Sequence, residues 1–233
     1  MKKKWSKALT ISIVINILLV AAVGVLVLNK MGVLTRSSLG TTGYSYLSNP
    51  QYEANLSMFR IIDGDADVIF AGDSITALGR FSEFFPETIV MNRGIGSDTT
   101  EGLYNRIDEV ISHHPKKLFI MIGINDMEKK IPVEESMKYY EMIISDIQQN
   151  IPGCKIYVES VLPTGTIDLS KIENYNTSLY ELCSKKDVEY IDLYNLFLTN
   201  QEPNYNLFSE DKVHLNGNGY SIWIETVNEY VSE

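Results

Sequence analysis

The chain reads as an α/β fold: a parallel sheet of about five strands with helices on both faces. Three observations predict it. Short runs of β-branched and aromatic residues recur, each stopped by glycine, proline or asparagine. Segments with apolar residues at helical spacing separate them. The strands and helices alternate, so each strand is reached by a crossover, and crossovers of this kind are right-handed.

The elements follow in order. Tyr52 to Ile62 places Leu56, Phe59 and Ile62 on one side of a short amphipathic helix. Val68–Ala71 is the first strand, apolar throughout, as a strand covered on both faces must be. Gly72 permits a sharp turn, and Ser74 opens a helix to about Phe81. Phe81, Phe84 and Phe85 read as core or as cleft lining, with core favoured. Thr88–Asn92 is the second strand, running into Arg93-Gly94-Ile95-Gly96. Asp98 with Glu101 three residues on is a capping-box pattern, and Leu103, Ile107 and Val110 carry a helix to about His114, where Pro115 stops it. Leu118–Ile122 is the third strand, ending at Gly123-Ile124-Asn125-Asp126. A long helix covers Val133–Asn150 and closes at Pro152-Gly153. Lys155–Val161 is the fourth strand, a helix spans Leu169–Lys185, and Val188–Leu193 is the fifth strand. Residues 194–213 are irregular and polar, and a last helix covers Asn216–Val231.

Three segments follow from composition: residues 1–30 as a membrane anchor, 31–50 as a linker and 51–233 as the folded domain. Ala8–Leu28 is an uncharged run of 21 residues, at 1.5 Å per residue about the hydrocarbon thickness of a bilayer. Lys2, Lys3, Lys4 and Lys7 precede it, which keeps the N-terminus cytoplasmic and exports the rest. A signal peptide cleaved near Val20-Ala21-Ala22 is the rival; the apolar run continues through Leu28, which favours the anchor. The first thirty residues hold five lysines and no acid, so with −10 overall the remaining chain carries −15. So acidic a body argues against a nucleic-acid partner. The two cysteines, Cys154 and Cys183, lack metal-ligand spacing and read as separate thiols or as a disulfide at the N-terminal edge of the sheet.

Ligands of such sheets bind beyond the carboxyl ends of the strands. Ser74 follows strand one, Gly94 strand two and Asn125 strand three, and His214 lies in the segment leaving strand five, so all four share one edge. His113 and His114 lead into the start of strand three and belong to the opposite edge, as helix-terminal cations or surface residues. His214 is therefore the one histidine able to serve Ser74 as a base. Asp211, three residues earlier, can reach the imidazole and fix its tautomer. An ester attacked by Ser74 yields an oxyanion, and the backbone N–H groups of Ser74 and Gly94 and the side chain of Asn125 are donors on the same edge. Gly-x-Ser-x-Gly is missing, and the dinucleotide fingerprint fails because Thr99 stands where its third glycine belongs.

Gly72-Asp73-Ser74, Gly94 within Asn92–Gly96, Gly123-Ile124-Asn125-Asp126 and Asp211-Lys212-Val213-His214 resemble, in order, the four blocks of the SGNH, or GDSL-like, hydrolase family over residues 65–233. Asn92–Thr100 and His214–Tyr220 are most similar to its acetylhydrolase and carbohydrate acetylesterase branch. The resemblance implies a flavodoxin-like α/β/α sandwich. It also implies Ser74 as nucleophile, His214 as base, Asp211 as its orienter, an oxyanion hole of Ser74, Gly94 and Asn125, and Asp73 and Asp126 in support. No metal or organic cofactor is expected. The expected activity is hydrolysis of small acyl esters, above all O-acetyl groups on extracytoplasmic carbohydrate, by a membrane-tethered enzyme. Longer acyl chains, as in a lipase, lysophospholipase or thioesterase, are the nearest alternative, with acetyl transfer beside it. A non-catalytic glycan-binding module on the same scaffold is the alternative of another class.

Overall fold

The computed structural model describes residues 44–232 and, before them, Asn16 alone. The expected membrane helix and most of the linker lie outside the described residues, and among those described no helix is long and apolar enough to cross a membrane. The chain divides into two units, Met1–Leu39 and Gly40–Glu233, and all the elements named below belong to the second.

Five parallel strands form the sheet: β1 (Val68–Gly72), β2 (Val90–Gly94), β3 (Lys117–Met121), β4 (Lys155–Glu159) and β5 (Glu189–Ile191). Their order is β2-β1-β3-β4-β5, the flavodoxin-like arrangement. Gly72 pairs with Gly94 on one side and Met121 on the other, so the strands end level. The helices are α1 (Tyr52–Phe59), α2 (Ser74–Leu78), α3 (Phe81–Phe84), α4 (Thr100–Asn105), α5 (Ile107–Ser112), α6 (Ile124–Glu128), α7 (Val133–Asn150), α8 (Leu169–Lys186) and α9 (Gly217–Ser232).

Alternation along the strands splits the core in two. Ile69, Ala71, Leu118, Ile120 and Val158 pack with Leu103, Ile107, Ile143, Ile147 and Leu179. Val68, Phe70, Phe119 and Tyr157 pack with Ile75, Phe81, Trp223 and Val227 on the other face. Phe70 is stacked between Phe81 at 3.9 Å and Phe119 at 4.7 Å, and truncating it to alanine should cost about 3–5 kcal/mol.

Several boundaries differ from expectation. The helix opened by Ser74 stops at Leu78, and a second begins at Phe81, whose ring is buried with Phe85 while Phe84 is exposed. The capping box does not form. Thr99 caps α4, and Asp98 turns inward to Arg106, at which the expected single helix breaks into α4 and α5. Leu198–Thr199 and Glu202–Pro203 form a small antiparallel ribbon within the segment expected to be irregular. Residues 46–48, expected as linker, form a 3-10 turn, and Asn49 beside it donates to the Gly96 carbonyl at 2.7 Å. Ile62, expected on the buried side of the first helix, is exposed and lies beyond its end. Cys154 and Cys183 are both free thiols, so the bridge is not made. His113, expected at the surface, is buried with Arg93 and Glu109 at the opposite edge, while His114 is exposed beside Asp65.

Candidate active site

From β1 the chain passes to β2 on one side, and from β3 it continues to β4 and β5 on the other. The crevice beyond the ends of β1 and β3 is therefore the topological switch point, where open α/β sheets bind ligands. Ser74 leaves β1 and Asn125 leaves β3 at that point.

A helix of only five residues carries Ser74, too short to hold its own shape, and neighbours fix both ends. The buried Asp73 carboxylate accepts from the Ile75 N–H at 3.0 Å and caps the start. At the far end the Asn92 side chain donates to the carbonyls of Thr76 at 2.7 Å and Gly79 at 2.9 Å. The Tyr220 hydroxyl, from α9, donates to the Ile75 carbonyl at 2.7 Å. A Cβ at Gly94 would collide with the Ala77 backbone, so a glycine is required there for α2 to lie against β2.

His214 lies 140 residues after Ser74, and its Nε2 stands 2.9 Å from the Ser74 Oγ. Its Nδ1 stands 2.6 Å from Asp211 Oδ2. Both contacts are satisfied by a neutral imidazole with its proton on Nδ1: that N–H donates to Asp211, and the serine hydroxyl donates to Nε2. Asp211 Oδ1 accepts the backbone N–H groups of Val213 and His214, each at 3.0 Å, which shapes the tight turn between them. The hydrogen bond from His214, then these two N–H groups, hold the Asp211 carboxyl down at about 2. Asp211 is half exposed and His214 about one-third exposed, so the pair opens to solvent.

Asn125 is buried, and its side-chain Nδ2 has no hydrogen-bond partner among the described residues. An idle buried donor is costly and uncommon, and a developing oxyanion would satisfy it. Gly123, at φ +134, makes the turn that delivers it. The Gly94 N–H is different: it donates to Asn92 Oδ1 at 2.8 Å, so the donor expected there is engaged within its own loop. On the same loop Ser97 is exposed, adopts a left-handed φ of 58°, and has a backbone N–H without a partner among the described residues. This loop crosses the end of β1, where the Ile95 N–H donates to the Gly72 carbonyl at 3.0 Å, and it is tied to the segment after β3.

That tie is made by Asp126. Its carboxylate accepts the Thr100 hydroxyl, the Thr100 N–H at 3.1 Å and the Ser136 hydroxyl at 2.9 Å. Burial pushes Asp126 up to about 6 and Asp73 up to about 7. Both therefore act as buried braces beside the serine and the asparagine. Asn92, Tyr220, Thr100 and Ser136 were not legible as site residues, because each acts through a contact far away in the chain. Arg106 did carry a signal: a charged residue on the apolar stripe of Leu103, Ile107 and Val110. Among the described residues no group of three or more His, Cys, Asp or Glu is placed to hold a metal.

The model of the GDSL-like lipase/acylhydrolase family matches residues 70–222. No curated protein matches the chain. Among solved structures, one described as a platelet activating factor from Streptococcus pneumonia is 25% identical, with a TM-score of 0.73, covering 80% of this chain and 94% of that one. A GDSL-like lipase from Bacteroides thetaiotaomicron has a similar fold at 19% identity and TM-score 0.68, covering 78% and 97%. So does an acetyl-xylooligosaccharide esterase from Geobacillus Stearmophilus, in a substituted form, at 20% identity and TM-score 0.61, covering 73% and 96%.

Proposed function

Since the chain belongs to the GDSL-like lipase/acylhydrolase family and is a hydrolase, we propose that it is a serine esterase that removes small acyl groups, chiefly acetyl, from carbohydrate. The observation that carries this reading is the chain of contacts from Asp211 through His214 to Ser74, at 2.6 and 2.9 Å. His214 Nε2 takes the Ser74 proton as Oγ attacks the acyl carbon. Asp211 holds the imidazole in the tautomer that can accept it and stabilises the imidazolium that forms. Nε2 returns the proton to the leaving alcohol, and the same imidazole then activates water to hydrolyse the acyl-serine. The Asn125 amide and the first N–H of α2, at Ser74, receive the oxyanion. We assign the third donor to the N–H of Ser97 in place of Gly94, whose N–H is engaged.

The Gly165 N–H donates to the Lys212 carbonyl at 2.9 Å, and the Thr166 hydroxyl donates to Glu128 at 3.3 Å. The loop after β4 thus joins the His214 turn, through the backbone, to the helix bearing Asn125, through a hydroxyl and a carboxylate. The name of the Geobacillus neighbour supports an acetylated carbohydrate as substrate. The lysine-flanked apolar run at residues 8–28 supports a membrane-tethered, extracytoplasmic enzyme.

The test uses the purified domain, with Ser74→Ala as control. Acetate release from O-acetylated cell-envelope glycans, and faster turnover of p-nitrophenyl acetate than of the octanoate, are expected. Preference for the octanoate with no acetate release would move the reading to a lipase or thioesterase. Turnover that survives Ser74→Ala would remove the nucleophile.

A further inference from the structure

At the carboxyl edge of the sheet a single guanidinium touches the ends of both β1 and β2. Arg106 stands at the break between α4 and α5, with its side chain wholly buried. Its Nη2 donates to the Gly72 carbonyl at 3.1 Å and its Nη1 to the Arg93 carbonyl at 2.8 Å. Its Nε donates to Asp98 Oδ2 at 2.9 Å, and Asp98 is as fully buried. Gly72 is the last residue of β1, two before Ser74. Arg93 precedes Gly94 at the end of β2. Asp98 lies next to Ser97 and accepts the Thr99 N–H at 2.9 Å.

We infer that Arg106 is a positioning residue for the reaction, fixing the nucleophile turn after β1 relative to the donor loop after β2. This rests on the reading of Ser74 as nucleophile. The geometry suits an arginine. The Gly72 carbonyl at the end of β1 already accepts the Ile95 N–H at 3.0 Å, and the guanidinium adds a second donor to it and one to the Arg93 carbonyl on the adjacent strand. The planar fork of a guanidinium offers five N–H donors in fixed directions, and here at least three of them meet acceptors on three different segments. A lysine ammonium on a flexible stem reaches Asp98 or one carbonyl, but not all three in one plane. Neither Arg106 nor Asp98 contacts Ser74 or His214, so the effect on the reaction passes entirely through backbone placement. Displacing a reacting group by about 1 Å costs on the order of 100-fold in rate.

The test is kcat per active site, counted by stoichiometric fluorophosphonate labelling so that unfolded protein does not enter the rate. In Arg106→Lys, kcat for p-nitrophenyl acetate should fall about 10- to 100-fold with KM within about twofold, and the rate of phosphonylation should fall in parallel. Asp98→Asn keeps the shape and the Arg106–carbonyl contacts, so its fall should be smaller, about 3- to 10-fold. A residue that only supports folding would lower the thermal midpoint and leave kcat per labelled site unchanged. Arg106→Lys with kcat per site within twofold of wild type would overturn the inference, and so would failure of both variants to yield any labelled protein. Ser74→Ala in the same series separates the two claims. If that variant still turns over ester, the nucleophile assignment fails first; if it is inert while Arg106→Lys is fully active, only the positioning role fails.

Discussion

Replacing Asn125 by alanine removes a side-chain amide that the free protein leaves idle. Its Nδ2 is buried and makes no hydrogen bond among the described residues, so the substitution breaks no ground-state bond from that nitrogen. An unsatisfied buried donor costs roughly 1–3 kcal/mol, and relief of that cost offsets the packing lost with the side chain. The net change in folding stability should stay within about 1 kcal/mol. The transition state differs, because a preplaced donor to an oxyanion contributes about 2.7–4 kcal/mol, or about 100- to 1000-fold in kcat. Steady-state hydrolysis of p-nitrophenyl acetate and urea unfolding on one preparation measure both quantities. The expected result is a kcat lower by that factor, a nearly unchanged KM and a nearly unchanged unfolding midpoint. A kcat within a few-fold of wild type, or a loss that follows a large drop in stability, would refute the reasoning.

Other outcomes follow from the same geometry. Asp211 is held at about 2, so it stays ionised through the working range and adds no acid limb of its own to kcat/KM. An acid limb above pH 4 that disappears in Asp211→Asn would contradict this. Because Asp211 is half exposed, Asp211→Asn should cost about 10- to 100-fold in kcat, less than the roughly 10⁴-fold of a buried triad aspartate. Burial pushes Asp126, Asp73 and Glu159 up to about 6, 7 and 8. An unfolded carboxyl titrates near about 4, so between these limits the folded state holds more protons, and stability is lost as pH rises through the window. Thermal midpoints should be higher at pH 5 than at pH 8.5. Glu159→Gln, which keeps an acceptor for the Trp223 N–H, should narrow that gap; an unchanged gap would show Glu159 ionised throughout. Burial raises the thiols of Cys154 and Cys183 to about 12, so a disulfide reagent should react slowly with the native protein and fully once it is unfolded.

The strands were legible because a sheet buried on both faces leaves unbroken apolar runs; all five lie within two residues of their expected starts. The edge bearing the chemistry was legible from order alone, since every turn after a strand in such a sheet faces the same way. Ser74 and His214 meet, with Asp211 on the far side of the imidazole. What failed was local. Asp98 and Glu101 have the spacing of a capping box, yet the Asp98 carboxylate is turned inward to Arg106 and Thr99 caps the helix instead. Gly94 looked like an unblocked donor because a glycine exposes its N–H, but the reason for glycine is the approach of Ala77, and the Asn92 side chain takes the N–H. Contacts that join residues far apart in the chain, such as Tyr220 to Ile75, leave no periodic trace.

The most direct measurement is the identity of the residue modified when the folded protein meets a fluorophosphonate, read by peptide mass spectrometry. The account predicts one adduct, on the Ser74 hydroxyl, abolished in Ser74→Ala and formed at least 100-fold more slowly in His214→Ala, given the roughly 10²–10⁴-fold share of a general base. An adduct on another residue, or labelling of Ser74 at an undiminished rate without His214, would contradict it.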